Sequence, residues 1–274
     1  MEDTQQNIPL LLESEQLESL IGHPSLLIID ICNPARYEEG HIEGAVHISP
    51  AETQLGTPPA PGKIPTEASL EQLFQKIGLT EDKHVVVYDD EGGGWAGRFI
   101  WLLDCIGHAR YSYLNGGYLA WNDEQRPLTQ IVKATQASNY SVRINHNHTA
   151  SLEEVLEALN ETSTVIWDAR SPQEYRGEKV LAAKKGHIPG AVNFEWTQAM
   201  DPKRALRMKD PKQLLESLTE LGITADKKVI THCQTHHRSG FTYLVAKVLG
   251  FSEIKAYDGS WAEWGNRPET PVEL

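Results

Sequence analysis

Hydrophobic positions in this chain come in two kinds of run, alternating along its length. Short β-branched apolar runs at Leu26–Ile31, Val85–Val87, Thr164–Trp167, Val229–Thr231 and Ile254–Tyr257 read as buried strands. Between them lie stretches with apolar residues three and four apart, the spacing of an amphipathic helix. Ser151–Leu159 is one such stretch, with Ser151 and Glu154 placed as a capping box. Pro211–Leu221 is another, with Leu214, Leu215, Leu218 and Leu221 on one face, and Arg98–Ile106 and Gly240–Leu249 complete the set. Short apolar strands alternating with helices predict an α/β architecture, a mostly parallel sheet flanked by helices. Leu128 to Thr149 has weak periodicity and many polar residues, and reads as a linker.

The same pattern occurs twice. Ile28–Tyr37 aligns with Ile166–Tyr175, sharing Asp, Pro and Tyr, and Gly40–Val46 aligns with Gly186–Val192. The change of offset between these blocks gives the second copy eight extra residues, among them Lys179, Lys184 and Lys185. Leu79–Lys83 matches Ile223–Lys227. Asn115–Trp121 matches Asp258–Trp264, and each copy closes on Arg-Pro, at Arg126-Pro127 and Arg267-Pro268. Four ordered blocks divide the 274 residues into a domain at 1–127, a linker at 128–149 and a second domain at 150–274.

Composition narrows the function classes. Forty per cent hydrophobic and 23% charged residues is a globular composition. The longest apolar run, Phe99–Ile106, is broken by Asp104 and is too short to cross a bilayer. Met1–Gln6 is acidic where a secretory signal would be basic, and three cysteines (Cys32, Cys105, Cys233) make no disulfide framework, so a cytoplasmic protein is expected. The net charge of −13 argues against nucleic-acid or anionic-membrane partners. That charge is uneven: residues 1–140 carry −12, whereas Arg176 to Arg238 carries +5, a local excess suited to a small anion.

The copies differ most just after matching strands. The first continues Tyr88-Asp89-Asp90-Glu91-Gly92-Gly93-Gly94, and the second His232-Cys233-Gln234-Thr235-His236-His237-Arg238-Ser239, which sets Asp89 opposite Cys233. A cysteine between a strand and a helix near Ser239 stands where main-chain N–H groups and a helix dipole favour negative charge. Arg238 adds a full charge, and together these lower a thiol pKa toward the reactive thiolate. The polar flanks argue against a merely buried cysteine. Cys105 in an apolar helix and Cys32 after a strand read as core residues, and His232 as a polar loop residue that tunes charge. Metal binding by His232, Cys233, His236 and His237 is the competing reading, disfavoured because one tight loop would have to supply all the ligands. Asp168 and Arg170 are expected to pair and hold their loop. His187 is expected to order its turn and Trp261 and Trp264 to lie in the core, and the matching Asp30, His41, Tyr118 and Trp121 of the first copy are expected to be structural for the same reasons.

The loop Cys233–Ser239, the block Gly186–Ala191 and the block Tyr257–Trp264, with their first-copy partners, resemble the tandem rhodaneses, or thiosulfate sulfurtransferases, over nearly the whole chain. The resemblance implies two rhodanese-like α/β domains, the first degenerate and the second catalytic, with the site in the cleft between them. It implies that Cys233 takes the outer sulfur of thiosulfate as a persulfide and passes it to cyanide or a cellular thiol. Gln234, Thr235, His236, His237, Arg238 and Ser239 would bind the donor, Arg238 most directly, with no cofactor and no metal, in a monomer. Many animal members carry arginine where this chain has Glu174 and lysine where it has Thr235, so the charge partners of the substrate differ here. Relatives that use 3-mercaptopyruvate carry an uncharged loop, which makes thiosulfate the expected donor. A persulfide carrier is a further alternative. So is a cysteine phosphatase, since related cell-cycle phosphatases share the topology; their loop has five residues between cysteine and arginine, whereas four lie between Cys233 and Arg238.

Overall fold

In a computed structural model, residues 8–274 are described; the acidic Met1–Gln6 lies outside them. The first half runs β1 (Leu11–Leu12), α1 (Ser14–Leu20), β2 (Leu26–Asp30), α2 (Pro34–Glu39), β3 (Ala45–His47), α3 (Glu67–Lys76), β4 (His84–Tyr88), α4 (Gly94–Cys105), β5 (Tyr111–Leu114) and α5 (Gly117–Asp123). The second runs α6 (Leu152–Ala158), β6 (Thr164–Asp168), α7 (Pro172–Tyr175), β7 (Val192–Asn193), β8 (Met200–Asp201), β9 (Arg207–Met208), α8 (Pro211–Glu220), β10 (Lys228–His232), α9 (Arg238–Val248), β11 (Ile254–Ala256) and α10 (Ser260–Trp264).

Both halves are parallel sheets with the same strand order, β1-β5-β4-β2-β3 in the first and β11-β10-β6-β7 in the second. The counterpart of β1 in the second half is a single parallel bridge from Thr149 to Ala256. β2 and β4 are buried along their whole length, as central parallel strands covered on both faces must be. β8 and β9 form a small antiparallel ribbon outside the repeat.

The repeated blocks build repeated turns. His41 and His187 each engage the carbonyl of the preceding tyrosine through Nδ1 at 2.9 Å and stack on its ring, at 3.8 Å on Tyr37 and 3.6 Å on Tyr175. Trp121 and Trp264 each donate Nε1–H to a carbonyl at the Arg-Pro end of their copy, that of Pro127 within the first signal at 2.9 Å and that of Pro271, three residues past the second, at 2.7 Å. The capping box at Ser151 and Glu154 is formed, with the Ser151 amide donating to Glu154 at 2.8 Å and the Glu154 amide to Ser151 Oγ at 3.2 Å.

Two helix readings change. α4 begins at Gly94, not at Arg98, because the Gly92-Gly93-Gly94 run turns directly into the helix while Asp89 accepts its early amides; Arg98 thus lies inside the helix and is fully buried. In α8 only Leu214 and Leu218 are buried, and Leu215 and Leu221 face solvent, so the apolar stripe is narrower than its sequence.

The halves share one core. A continuous apolar cluster joins Phe74, Phe99 and Trp101 of the first to Trp167, Phe241 and Leu244 of the second, and each half keeps a smaller cluster on its outer face. α4 and α9 cross at backbone contact: a Cβ on Gly97 would lie 2.3 Å from the Gly240 carbonyl oxygen, and one on Gly240 2.5 Å from the Arg98 nitrogen. Only glycines allow that approach. It sets the loops that precede the two helices against each other. The segment 128–149 packs on the first half, with Val142 buried and Tyr140 against Phe74. No helix among the described residues is long and apolar enough to cross a membrane.

Candidate active site

Cys233 follows β10 at the carboxyl edge of the second sheet, where parallel α/β sheets present their ligand sites. It is 1% exposed, so the polar flanks hide a buried sulfur. Burial raises the thiol pKa, yet Arg238, the hydroxyl and amide of Ser239, and His237 together outweigh it and hold the thiol below its ordinary value. The other thiols move the opposite way. Burial pushes Cys105 up to about 12, and burial together with Asp30 and Asp90 raises Cys32 far above its usual range.

The loop is tied down from below. Ser260 Oγ accepts from the amides of Cys233 at 3.3 Å and His236 at 3.1 Å, and donates to the Tyr257 carbonyl at 2.9 Å. The amides of Trp261 and Ala262 donate to the carbonyls of Cys233 and Gln234 at 3.0 and 2.9 Å. Ser260 and His236 hold left-handed backbone, with φ of 52° and 54°, an uncommon conformation for residues with a Cβ. Among the described residues, no hydrogen bond occupies the amides of Gln234, Thr235, His237 or Arg238, while the Ser239 amide bears on the Cys233 sulfur. A run of unoccupied amides at a helix start is an anion-binding concavity.

The side chains of the loop go separate ways. Arg238 makes two bonds to Glu174, at 2.7 and 2.9 Å, and Glu174 accepts also from the amide and hydroxyl of Ser171. Glu174 is 2% exposed; burial raises its pKa, but Arg238 and Ser171 hold it down at about 2. The arginine expected to meet substrate most directly is therefore already paired, by the residue that stands where animal members carry a cation.

His236 is fully buried, edge-on to Trp101, with Nδ1 2.8 Å from Ser239 Oγ; burial and then Arg98 drive its pKa well down, leaving it neutral. His237 stacks on Trp95 at 4.1 Å and meets Glu91 of the first domain at 2.5 Å. His232, expected as a loop residue, is instead the buried last residue of β10, 3.6 Å from Asp168; burial lowers it to about 4 despite that carboxylate. These histidines diverge, and among the described residues no three His, Cys, Asp or Glu side chains converge as a metal site would require. Gln234 reaches out to the Leu181 carbonyl at 3.2 Å, and Thr235 presents its backbone to Gly62 of the first domain.

Asp168 and Arg170 pair as expected, through Nε and Nη2 at 2.6–3.0 Å. Arg170 also reaches the Gly186 carbonyl and lies 4.3 Å over the Trp261 ring. The sequence reading missed the contributions of the first domain, Glu91, Trp95 and Arg98. One signal was available: Arg98 is the lone cation of a helix that, Asp104 near its end aside, carries no other charge.

The matching loop of the first domain has the same frame and a different occupant. Asp89, where Cys233 stands in the second, accepts from the amides of Gly93 at 2.8 Å, Ala96 at 3.0 Å and Glu91 at 3.2 Å. Its carboxylate fills the concavity of its own loop.

Two α/β repeats with this strand order, each closing a strand–loop–helix concavity, define the architecture, and comparison with known proteins gives it a family. The family model described as Rhodanese-like domain matches twice, at residues 13–124 and 151–267, and the chain belongs to that family. It is 56% identical over 268 residues to a thiosulfate sulfurtransferase of Azotobacter vinelandii and 53% identical to one of Pseudomonas aeruginosa, in each case across 98% of both chains. Among solved structures it superposes on the anaerobic ergothioneine biosynthesis enzyme of Chlorobium limicola with a TM-score of 0.87, covering 97% of this chain and 70% of that one. At 22% identity that likeness speaks for the fold alone.

Proposed function

We propose that this chain is a thiosulfate sulfurtransferase that works by double displacement at Cys233. The Cys233 thiolate attacks the outer sulfur of thiosulfate, a new S–S bond forms, and the bond to the sulfonate sulfur breaks with its electron pair, releasing sulfite. The outer sulfur stays on the enzyme as a persulfide anion. A thiophilic acceptor, cyanide or a cellular thiolate, attacks that sulfur; cyanide leaves as thiocyanate and Cys233 returns as thiolate. No proton need move in the cyanide cycle, so the loop requires no side-chain acid.

The observation that carries this reading is the contrast in occupancy. The thiol of Cys233 is shifted toward the thiolate by the Ser239 amide among others, in a loop with four unoccupied amides, and in the first domain a carboxylate fills the equivalent concavity. The amides of Gln234, Thr235, His237, Arg238 and Ser239 serve the anionic oxygens of the donor and then the persulfide charge. Arg238 supplies charge to the sulfur while Glu174 holds its guanidinium, and His237 stands beside them with Trp95 and Glu91. His236 acts through its backbone. Unpaired thiols at Cys32, Cys105 and Cys233 suit a reducing cytoplasm.

The test is intact-mass measurement after thiosulfate treatment, with sulfite assayed in parallel. One added sulfur on the wild type, none on Cys233→Ser, and stoichiometric sulfite support the reading. A wild-type chain that stays unmodified and releases no sulfite overturns it. A donor panel with 3-mercaptopyruvate ranks the donors by kcat/KM, and thiosulfate is expected to lead.

A further inference from the structure

Arg98 is an unusual residue to find inside a core. It is fully buried in the middle of α4, in the first domain, and its guanidinium faces main-chain carbonyls. Nη2 donates to Thr53 at 2.7 Å and Gly62 at 2.8 Å, Nε to Thr53 at 3.0 Å, and Nη1 to His236 of the Cys233 loop at 3.1 Å. Among the described residues no carboxylate forms an ion pair with it. Burial lowers its pKa only to about 10, so it stays charged at neutral pH, and the anions that favour its charge most are Asp258 and then Cys233. A buried cation without an ion-pair partner is costly and calls for an explanation.

The contact at His236 supplies one. His236 holds left-handed backbone, its amide is fixed by Ser260 and its carbonyl by Arg98, so the loop is clamped from both domains at one residue. In a planar trans peptide the carbonyl and the next N–H point in opposite directions. Holding the His236 carbonyl toward the first domain therefore turns the His237 N–H away from Arg98, and that N–H is one of the unoccupied amides. Gly62, whose carbonyl Arg98 also holds, is the residue whose bare Cα admits the Thr235 backbone: a Cβ there would lie 2.1 Å from the Thr235 carbonyl oxygen. One guanidinium thus sets both the loop and the surface that the loop rests on.

We infer that Arg98 of the first domain is a positioning residue for the Cys233 site, holding the His236 carbonyl and with it the left-handed turn that presents the loop amides to anionic sulfur. The domain that lacks the cysteine is then part of the working centre. The inference rests on Cys233 being the nucleophile of that site. The charged and titratable groups that bear on this sulfur are Arg238 and His237 from its own loop and Arg98 from α4, with Glu174 paired to Arg238 and Asp258 beside Arg98.

The experiment measures Cys233 alkylation by iodoacetamide against pH, located by mass spectrometry, in the full-length wild type, Arg98→Met and Arg98→Lys. Sulfite release from thiosulfate and the near-ultraviolet circular dichroism of each protein are recorded alongside. For folded Arg98→Met the alkylation midpoint is expected to rise by about one pH unit and kcat/KM to fall by about tenfold or more. Arg98→Lys keeps the charge but cannot span the three carbonyls. It is expected to lose turnover nearly as far, with a smaller shift of the midpoint. Should Arg98→Met fail to fold, the lysine variant decides. Wild-type midpoint and wild-type turnover in either folded variant would overturn the inference. Alkylation uses no sulfur donor, so a raised midpoint in a protein that never releases sulfite would leave Arg98 in its role and remove the sulfurtransferase reading instead.

Discussion

The loops after β4 and β10 are the same device loaded differently. Each leaves the carboxyl end of a central parallel strand, turns over a concavity lined by main-chain amides, and enters a helix that crosses its counterpart at glycines. In the first, Asp89 is a built-in carboxylate that accepts from three amides of its own loop. In the second, the residue at that position is a sulfur with a lowered pKa, and the amides remain available. Fold alone does not separate the two domains; the occupant of the concavity does. The filled loop is not idle, since Glu91 and Arg98, just beyond Asp89, reach His237 and His236 of the open one. The copy with the filled concavity thus supports the loop of the copy with the open one.

Loading the second loop like the first is the severest test of this comparison. Cys233→Asp is expected to place a carboxylate among the loop amides, abolish sulfur transfer by more than about a thousandfold, and also abolish thiosulfate binding measured by calorimetry. Cys233→Ser removes the nucleophile without adding a charge, so it loses turnover but still binds the donor. Equal thiosulfate affinity in the two variants would show that the amides do not form the anion site.

The next largest effect falls on the pair that the first loop lacks. Breaking one partner of a buried ion pair leaves an uncompensated charge, so Glu174→Gln is expected to cost about 3 kcal/mol of stability at neutral pH in urea titrations. The sign with pH follows from the direction of the shift. The carboxyl of Glu174 is held at about 2, below its ordinary value, so its contribution is complete above the unfolded pKa and is lost as pH falls through the folded one. Wild type and variant should therefore converge as the solution is acidified, and a gap that stays constant with pH would mean that the ion pair contributes nothing. Freed of its partner, Arg238 also becomes available to the donor anion, and KM for thiosulfate is expected to fall in the variant.

Most of the framework was legible in the chain because it is local. The repeat, the central strands, the capping box at Ser151 and the placement of Cys233 between a strand and a helix all follow from residues a few positions apart. Asp168 with Arg170, and His187 in its own turn, were likewise readable as turn-holding groups, though the Tyr175 partner of His187 was not. What escaped was contact across the two halves. Nothing in the pattern around Arg238 reveals that Glu174, 64 positions away, takes both arms of its guanidinium. Nor does the loop announce that His237 meets Glu91 across 146 positions. The burial of Cys233 escaped for a related reason: its neighbours are polar because they face the sulfur and the first domain, whereas sequence reasoning takes polar flanks as a sign of solvent. His232 was misread because the strand runs one residue farther than its β-branched run. The signal at Arg98 was present, a charge inside an apolar helix, but its meaning depends on a crossing that only the fold supplies.

The mildest test returns to the first loop and asks whether Asp89 is a satisfied anion or a strained one. Burial, and then Glu91, raise its pKa to about 6, although the amides of Ala96, Gly93 and Glu91 pull it down. A carboxyl raised on folding binds its proton more tightly in the native state. Its effect is thus most favourable below the unfolded value of 3.8 and fades as pH climbs through about 6, after which it changes no further. Wild type should lose about 2–3 kcal/mol of stability across that window relative to Asp89→Asn, which keeps an acceptor for the loop but has no proton to release. Denaturant titrations of both proteins at several pH values read the difference directly. A flat difference would mean that the loop amides fully compensate the buried charge, making the first concavity as good an anion site as the second and leaving the sulfur alone to account for their divergence.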